Sequence, residues 1–129
     1  MTHTLAKFAL ITLPFLCIAG NAHALAQNST SNKYFDENGT LVGQQIRLCN
    51  ALSYHAGNVH SAYMITEEVP CGANPSLDYI VPGTIITAYT LPGSQTISNA
   101  CGIAECSSSG VAEPTRLMNK GWTWLNFWQ

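Results

Sequence analysis

The most regular pattern in the chain is an alternation of apolar and polar side chains through residues 44–69. A period of two is typical of strands that bury one face. Gly57-Asn58 interrupts the pattern, and both residue types tolerate the positive φ that a two-residue hairpin turn requires. The pattern therefore predicts a long antiparallel hairpin that turns at Gly57-Asn58. Its apolar face carries Ile46, Leu48, Leu52, Tyr54, Val59, Tyr63, Ile65 and Val69.

The opposite face of this predicted hairpin is polar. It carries Gln45, Arg47, Ser53, His55, His60, Thr66 and Glu68. In this register Arg47 opposes Glu68, and opposite charges directly across two strands contribute about 0.2–1 kcal/mol. A shift by one residue would place apolar side chains among polar ones, so burial of the apolar face is expected to fix the register.

A second hairpin is predicted just before the first, with its turn at Asn38-Gly39. In this hairpin Phe35 opposes Val42. Val42 is an even number of residues from Ile46, so its side chain is expected to point to the same apolar face. The two hairpins therefore share one strand and form a three-stranded meander. That shared strand would be far longer than usual, so we expect a bend or bulge at Gly43.

Apolar and β-branched runs separated by Pro and Gly predict further strands downstream. These strands cover residues 77–81, 84–91 and 96–100. Residues 115–120 predict one helical turn ended by Gly121, and the uncharged residues 122–128 predict an aromatic final strand. The expected fold is a small all-β, disulfide-stapled antiparallel meander or sandwich, with little helix outside an amino-terminal leader.

The leader is predicted at residues 1–24. Lys7 supplies positive charge, residues 8–18 form a short apolar run, and Ala22-His23-Ala24 has the small residues of a cleavage site. The apolar run is shorter than the roughly 18–20 residues that span a bilayer, which favours a signal peptide over an anchor. Two segments are expected to follow, a mobile lead at 25–32 and a single small β domain at 33–129. The expected location is secreted or periplasmic, without a membrane span in the mature chain.

The charge of the predicted mature chain excludes some partners. Beyond residue 24 four Lys and Arg stand against seven Asp and Glu, a formal charge of −3. Nucleic-acid binding requires clustered basic side chains, and none occur. We therefore expect no nucleic-acid partner.

Four cysteines remain beyond the predicted cleavage site, namely Cys49, Cys71, Cys101 and Cys106. An even number in an exported chain predicts two disulfides, and three pairings are possible. The sequence favours Cys49–Cys71 with Cys101–Cys106, although chain-entropy estimates do not separate the pairings. The absence of a Cys-x-x-Cys pair makes a zinc site a weaker interpretation.

Residues 34–71 contain a motif in which an aromatic-x-Asp start precedes a Val-Gly step, a Cys and a closing Pro-Cys. Its residues are Tyr34, Asp36, Val42, Gly43, Cys49, Pro70 and Cys71. In this motif the chain resembles a family of small exported bacterial proteins of unknown function. The resemblance implies export, and it implies no particular activity.

Catalytic and metal chemistry find little support in the sequence. His55 and His60 would face each other across the predicted hairpin, which makes them weak candidates for a shared metal ion. Two ligands do not complete a site, so neither metal nor cofactor is expected. Glu67 and Glu68 are strand neighbours that point to opposite faces, and no Gly-x-Ser-x-Gly motif occurs. The chain is therefore predicted not to be an enzyme.

Aromatic side chains are the remaining candidates for a functional surface. Candidate binding residues are Trp122, Trp124, Trp128, Tyr54 and Tyr63. The alternative for the tryptophans is a role in the core of a small domain. The leading hypothesis is a secreted, disulfide-bonded, non-catalytic binding protein whose partner is a protein, a glycan or a copy of itself. The alternative is a secreted bacteriocin, toxin or processed peptide precursor.

Overall fold

The computed structural model describes residues 25–73 and 76–126. Within those residues the strands are β1 (Asn28–Phe35), β2 (Leu41–Arg47), β3 (Ser53–Gly57), β4 (Tyr63–Pro70), β5 (Ile86–Thr90) and β6 (Leu125–Asn126). The helices are α1 (Ile97–Ala104) and the 3₁₀ turn Met118–Lys120. The predicted small, disulfide-stapled all-β fold is confirmed. The predicted signal peptide, residues 1–24, lies outside the described residues.

All six strands form one antiparallel sheet in the order β5-β4-β1-β2-β3-β6. Strand β4 pairs with β1 and not, as the sequence predicted, with β3. In a Greek key the fourth strand returns beside the first, which is the order of these four strands. The hairpin predicted about Gly57-Asn58 is therefore wrong, because residues 58–62 cross the end of the sheet instead of turning back on β3.

The strand that takes the place of the predicted partner is β1, whose sequence NSTSNKYF is polar. Its first residues were predicted to be mobile, and this is wrong, because Ser29 and Ser31 are buried in the central strand. The Ser29 hydroxyl donates to the Arg47 carbonyl at 3.1 Å. The Ser31 hydroxyl accepts from the Gln44 side-chain amide at 2.7 Å. Polar side chains with buried hydrogen-bond partners therefore fill central positions that a hydropathy pattern assigns to a loop.

The division of side chains between the two faces of the sheet agrees in part with the prediction, although the strand pairing does not. Leu52, predicted on the apolar face, is 42% exposed. Four residues of the predicted apolar face are buried, namely Ile46, Leu48, Ile65 and Val69. Arg47, from the predicted polar face, is exposed. It lies opposite Thr30, which in turn lies opposite Glu68. Arg47 and Glu68 therefore flank β1 instead of facing each other.

The crossing from β3 to β4 explains the glycine at position 43. A β-carbon added to Gly43 would lie 2.1 Å from the carbonyl oxygen of Asn58, the first residue of the crossing. The Asn58 N–H donates to the Val42 carbonyl at 2.8 Å, which holds the two backbones together. The bulge expected here is also present, because Leu41 and Gly43 have consecutive partners on β1 and Val42 is the extra residue.

Replacing Gly43 with Ala is expected to lower the free energy of unfolding by about 3 kcal/mol, because the added methyl group must push the crossing backbone away. Denaturant unfolding measures this change. Gly102→Ala is the matched control, since Gly102 lies in α1 with no atom within 4 Å of an added β-carbon. Ala at that position is expected to raise the stability by about 0.5–1 kcal/mol. Equal stability of wild type and Gly43→Ala would contradict the close crossing.

The hairpin predicted at Asn38-Gly39 is present between β1 and β2. Gly39 has a φ of 80°, in the left-handed region that glycine favours. The Asp36 carboxylate accepts hydrogen bonds from the N–H groups of Asn38 and Thr40, at 2.9 and 2.8 Å. The connection comprises residues 36–40, so the register differs by one residue from that of the predicted two-residue turn.

Downstream of β4 the sequence predicted three strands, and only one of them forms. Residues 84–91 contain β5, whereas residues 77–81 form bends and irregular structure. Residues 96–100, predicted as a strand, instead begin helix α1. The Thr96 hydroxyl caps this helix by accepting the Asn99 N–H at 3.2 Å.

Helix α1 covers the core on one face of the sheet. Ala100 and Ala104 are fully buried against Phe35, Ile65 and Ile86. These two alanines lie one helical turn apart and are the only buried side chains of the helix. So narrow an apolar face gives a weak helical period in the sequence, which is why the strand prediction failed here.

The carboxyl-terminal segment has less regular structure than predicted. The predicted helical turn reduces to the 3₁₀ turn Met118–Lys120, which ends at Gly121 with a φ of 76°. Within the described residues, the predicted aromatic strand pairs only over Leu125–Asn126, opposite Tyr54 and His55 of β3.

Two disulfides close the fold, in the pairing that the sequence favoured. Cys49 and Cys71 are joined with a Cα–Cα distance of 5.6 Å, and Cys101 and Cys106 with a distance of 4.8 Å. Cys49 follows β2 and Cys71 follows β4, the two strands that flank β1. The first bridge therefore ties the sheet together across the end of its central strand, and the second closes the end of α1.

Candidate functional site

An open groove of about 260 Å³ lies beside α1, the β1–β2 hairpin and the carboxyl-terminal segment. We call it the Trp122 groove, and it is lined by Thr40, Leu41, Ile103, Lys120 and Trp122. Trp122 is half-buried and Ile103 is 37% exposed. One indole ring and two aliphatic side chains therefore form an apolar centre that solvent can reach.

A pair of opposite charges lies beside this apolar centre. Lys120 Nζ is 2.8 Å from Glu105 Oε1, and both side chains are partly exposed. A pair this exposed contributes little to stability. An apolar centre beside polar groups is nevertheless the arrangement that carries most of the binding energy in protein interfaces.

Trp124 does not line the Trp122 groove. It is half-buried, and its indole N–H is buried without a hydrogen-bond acceptor among the described residues. The third predicted tryptophan, Trp128, lies outside the described residues. Of the two tryptophans that the structure describes, it brings one to this groove.

Tyr54 and Tyr63, the predicted tyrosine pair, lie on strands that are not neighbours. Tyr54 is on β3 and Tyr63 begins β4, and the two intervening strands separate them by about 14 Å. The Arg116 guanidinium lies over the Tyr54 ring, 5.6 Å from its centroid, as a cation–π contact. Tyr63 packs against the core around Phe35. The two tyrosines do not form one surface.

The two predicted weak metal ligands are also separated, because their pairing depended on the predicted hairpin. His55 on β3 lies opposite Gln45 of β2. His60 lies in the crossing that leads away from β3. In residues 25–73 and 76–126, no group of three or more His, Cys, Asp or Glu side chains is placed to hold a metal ion.

A second feature, which the sequence did not predict, is a network of polar side chains inside the core. We call it the buried polar cluster, and it consists of Ser31, Lys33, Gln44, Glu67, Ser107 and Thr115. The first four belong to the sheet and the last two to the segment that follows α1. The cluster therefore attaches the carboxyl-terminal half of the chain to the sheet.

Lys33 and Glu67 form the charged part of this cluster. Lys33 Nζ lies 2.7 Å from Glu67 Oε2, and both side chains are 0% exposed. Lys33 also donates to the Glu105 carbonyl at 2.9 Å, and the Ser107 N–H donates to Glu67 Oε1. Burial lowers the pKa of Lys33, and the nearby Glu67 carboxylate opposes this shift.

Gln44 forms the neutral part of the cluster. Its amide nitrogen donates to the Thr115 carbonyl at 2.8 Å, and its oxygen accepts the Leu117 N–H at 2.8 Å. The Ser107 hydroxyl lies 2.6 Å from that of Thr115. Backbone groups of residues 115–117 thus find their partners on the sheet, as buried backbone polar groups require.

The sequence contained one signal for this cluster. Lys33 is two residues from Phe35, and Glu67 is two residues from Ile65. Side chains two apart in a strand point to the same face, so each charged side chain lies on the apolar face of its strand. A charge in such a position is rarely buried without a partner. The prediction missed the pairing because it gave β4 the wrong neighbouring strand.

Two further cavities lie near the beginning of the described chain. The larger, of about 530 Å³, is lined by Leu25, Ala26, Gln27, Cys49, Asn50, Cys71 and Gly72. The other, of about 360 Å³, is lined by Leu25, Ala26, Gln27, Asn28, Thr30, Arg47 and Glu68. Leu25 supplies the large aliphatic side chain in both, and it is 76% exposed. Neither cavity combines several large apolar side chains as the Trp122 groove does.

No helix in the described part of the chain has the length and hydrophobicity that a bilayer crossing requires. Comparison of the chain with protein-family models, with curated proteins and with solved structures finds no match.

Proposed function

We propose that this chain is a secreted, disulfide-bonded, non-catalytic binding protein that takes an apolar side chain of a partner protein into the Trp122 groove. The observation that carries this proposal is the placement of Trp122, Ile103 and Leu41 around one open groove. Large rigid aromatic side chains beside aliphatic ones supply much of the contact energy in protein recognition.

The lining of the groove favours a protein over a glycan. A sugar ring offers several hydroxyl groups, each of which needs a hydrogen-bond partner when water is removed. The polar side chains of the lining are Thr40 and Lys120, and Lys120 already pairs with Glu105. An aliphatic or aromatic side chain needs no hydrogen-bond partner, and it matches the apolar centre of the groove.

The two disulfides support the proposed export. Disulfides persist in oxidising compartments and are rare where thiols are kept reduced. The structure places all four cysteines of residues 25–73 and 76–126 in two such bridges. Export through a signal peptide at residues 1–24 agrees with this chemistry.

Replacing Ile103 with Asp tests the proposed groove. Peptides are selected from a random library against the immobilised mature protein, and their dissociation constants are measured. We expect selected peptides to carry a large apolar anchor, and Ile103→Asp to weaken binding at least about tenfold, or about 1.4 kcal/mol. The physical reason is that a carboxylate in the groove must lose water when the anchor enters.

Ile80→Asp is the matched control for this experiment. Ile80 is also an exposed isoleucine, 52% accessible, and it does not line the groove. Binding by Ile80→Asp should equal that of wild type, and circular dichroism should show both variants folded. Equal loss of binding in the two variants would contradict the groove assignment. Binding of a glycan array and of no peptide would assign the groove to a sugar.

A further inference from the structure

The contact between Lys33 and Glu67 holds an amine and a carboxyl group together in a place that water does not reach. Nζ and Oε2 are 2.7 Å apart, and neither side chain is exposed. The two residues lie on the paired strands β1 and β4, where Lys33 opposes Ile65 and Ser31 opposes Glu67. They are therefore diagonal neighbours, two groups whose condensation would form an amide.

The two carboxyl oxygens of Glu67 have different neighbours. Oε2 lies 2.7 Å from Lys33 Nζ. The other oxygen, Oε1, accepts a hydrogen bond from the Ser107 N–H. The two oxygens of Glu67 are thus held in different environments.

These environments suit the two roles of the carboxyl oxygens in acyl transfer, in which Oε1 carries the developing negative charge and Oε2 leaves. The Ser107 N–H can stabilise negative charge that develops on Oε1, as an oxyanion-hole donor does. The Glu105 carbonyl accepts one N–H of Lys33 at 2.9 Å and fixes the direction of the amine. Transfer of one proton from Nζ to Oε2 gives a neutral amine and a neutral acid, and a site without water favours neutral groups over charged ones.

We propose that Lys33 and Glu67 join in an intramolecular isopeptide bond when the protein folds. The Nζ lone pair attacks Cδ of Glu67, so that an N–C bond forms and the Cδ–Oε2 bond breaks. Oε2 leaves as water, taking the proton it received and one further proton from Nζ. The remaining N–H of the new amide donates to the Glu105 carbonyl. The step needs no oxidant, metal or cofactor, and it does not depend on the Trp122 groove.

Folding would supply the driving force for this condensation. Two groups held in contact react as though one were present at roughly 10⁵–10⁸ M, which offsets the preference of amides for hydrolysis in water. Amide formation also removes two buried charges and expels one water molecule. The product would link the central strand β1 to β4 by a covalent bond.

The mass of the mature exported protein tests the proposal. After reduction of the disulfides in denaturant, the chain is expected to be about 18 Da lighter than its sequence mass, the mass of one water lost in the modification. Trypsin should fail to cut after Lys33. The peptide that ends at Arg47 should remain joined to the peptide that spans residues 48–116.

Two controls keep the result interpretable. Lys33→Arg retains the positive charge but offers no primary amine, so it should show the full sequence mass. If that variant does not fold, a chemically synthesised wild-type chain that has never folded replaces it, because it should have the full mass and lose the water only when it folds. Folded wild type with the full mass and normal cleavage after Lys33 would overturn the proposal and leave an ion pair only.

Discussion

Replacing Glu67 with Leu is expected to lower the free energy of unfolding by at least about 3–5 kcal/mol, the usual cost of leaving a buried amine without its carboxylate partner. The loss is larger if the two groups are joined by the amide proposed above. Lys33 would keep its amine in a site where its side chain is 0% exposed. The variant also loses the acceptor for the buried Ser107 N–H. Urea unfolding, followed by fluorescence and circular dichroism, measures the change.

The double variant Lys33→Met/Glu67→Leu is the control for this prediction. It removes both charges and fills the space with apolar side chains, so it should be more stable than Glu67→Leu alone. The exposed pair of Arg116 and Glu113, 3.6 Å apart, provides a second comparison. Glu113→Leu should change stability by no more than about 1 kcal/mol. A Glu67→Leu chain as stable as wild type would show that the buried polar cluster does not support the fold.

Removing the Cys49–Cys71 disulfide is expected to lower the free energy of unfolding by about 3 kcal/mol, since the bridge restrains a loop of moderate length in the unfolded chain. The sequence separation of the two cysteines is 22. The double variant Cys49→Ala/Cys71→Ala avoids a single reactive thiol. Its unfolding midpoint, compared with that of wild type under oxidising conditions, provides the measurement.

The matched control is Cys101→Ala/Cys106→Ala, which opens a loop with a sequence separation of only 5. The shorter loop predicts a smaller loss, of about 2 kcal/mol. The order of the two losses is the informative quantity. A larger loss for the Cys101–Cys106 variant would mean that this bridge acts mainly by holding the segment that carries Glu105 and Ser107 over the sheet.

The sequence predicted features that depend on neighbouring residues better than features that depend on contacts between distant residues. The alternation of apolar and polar residues correctly placed Ile46 and Ile65 inside and Arg47 outside. The face to which a strand side chain points depends only on its position relative to its neighbours in the same strand. The partner of each strand depends on contacts far along the chain. The prediction joined β3 to β4 through Gly57-Asn58. In the structure β4 pairs with β1, although 27 residues (36–62) separate the end of β1 from the start of β4.

The predicted disulfide pairing is confirmed, although the predicted strand pairing around it is not. In the predicted hairpin about Gly57-Asn58, Cys49 lay in one strand and Cys71 lay just beyond the end of its partner. In the structure Cys49 and Cys71 end the two strands on either side of β1. Both β2 and β4 run antiparallel to β1, so they end at the same end of the sheet. The residues that follow them converge past the start of β1, which brings the two cysteines within bridging distance.

The candidate site was predictable in part. The aromatic tail pointed to Trp122, but its groove partners Leu41 and Ile103 come from segments far from it in sequence. The buried polar cluster was missed because Lys33 and Glu67 come into contact only when β1 and β4 are neighbouring strands. A polar strand such as Asn28–Phe35 also contradicts the usual expectation that a central strand is hydrophobic.

The central position of β1 has a consequence for proteolytic maturation. The first described strand supplies the middle of the sheet, and residues 105–117 at the other end of the chain cover its Lys33 side. A protease that released the stretch between Cys49 and Cys71 would discard the strand that separates β2 from β4. Any shorter toxin-like product would therefore have to act without this architecture, whereas the Trp122 groove requires segments from residue 40 to residue 122 together.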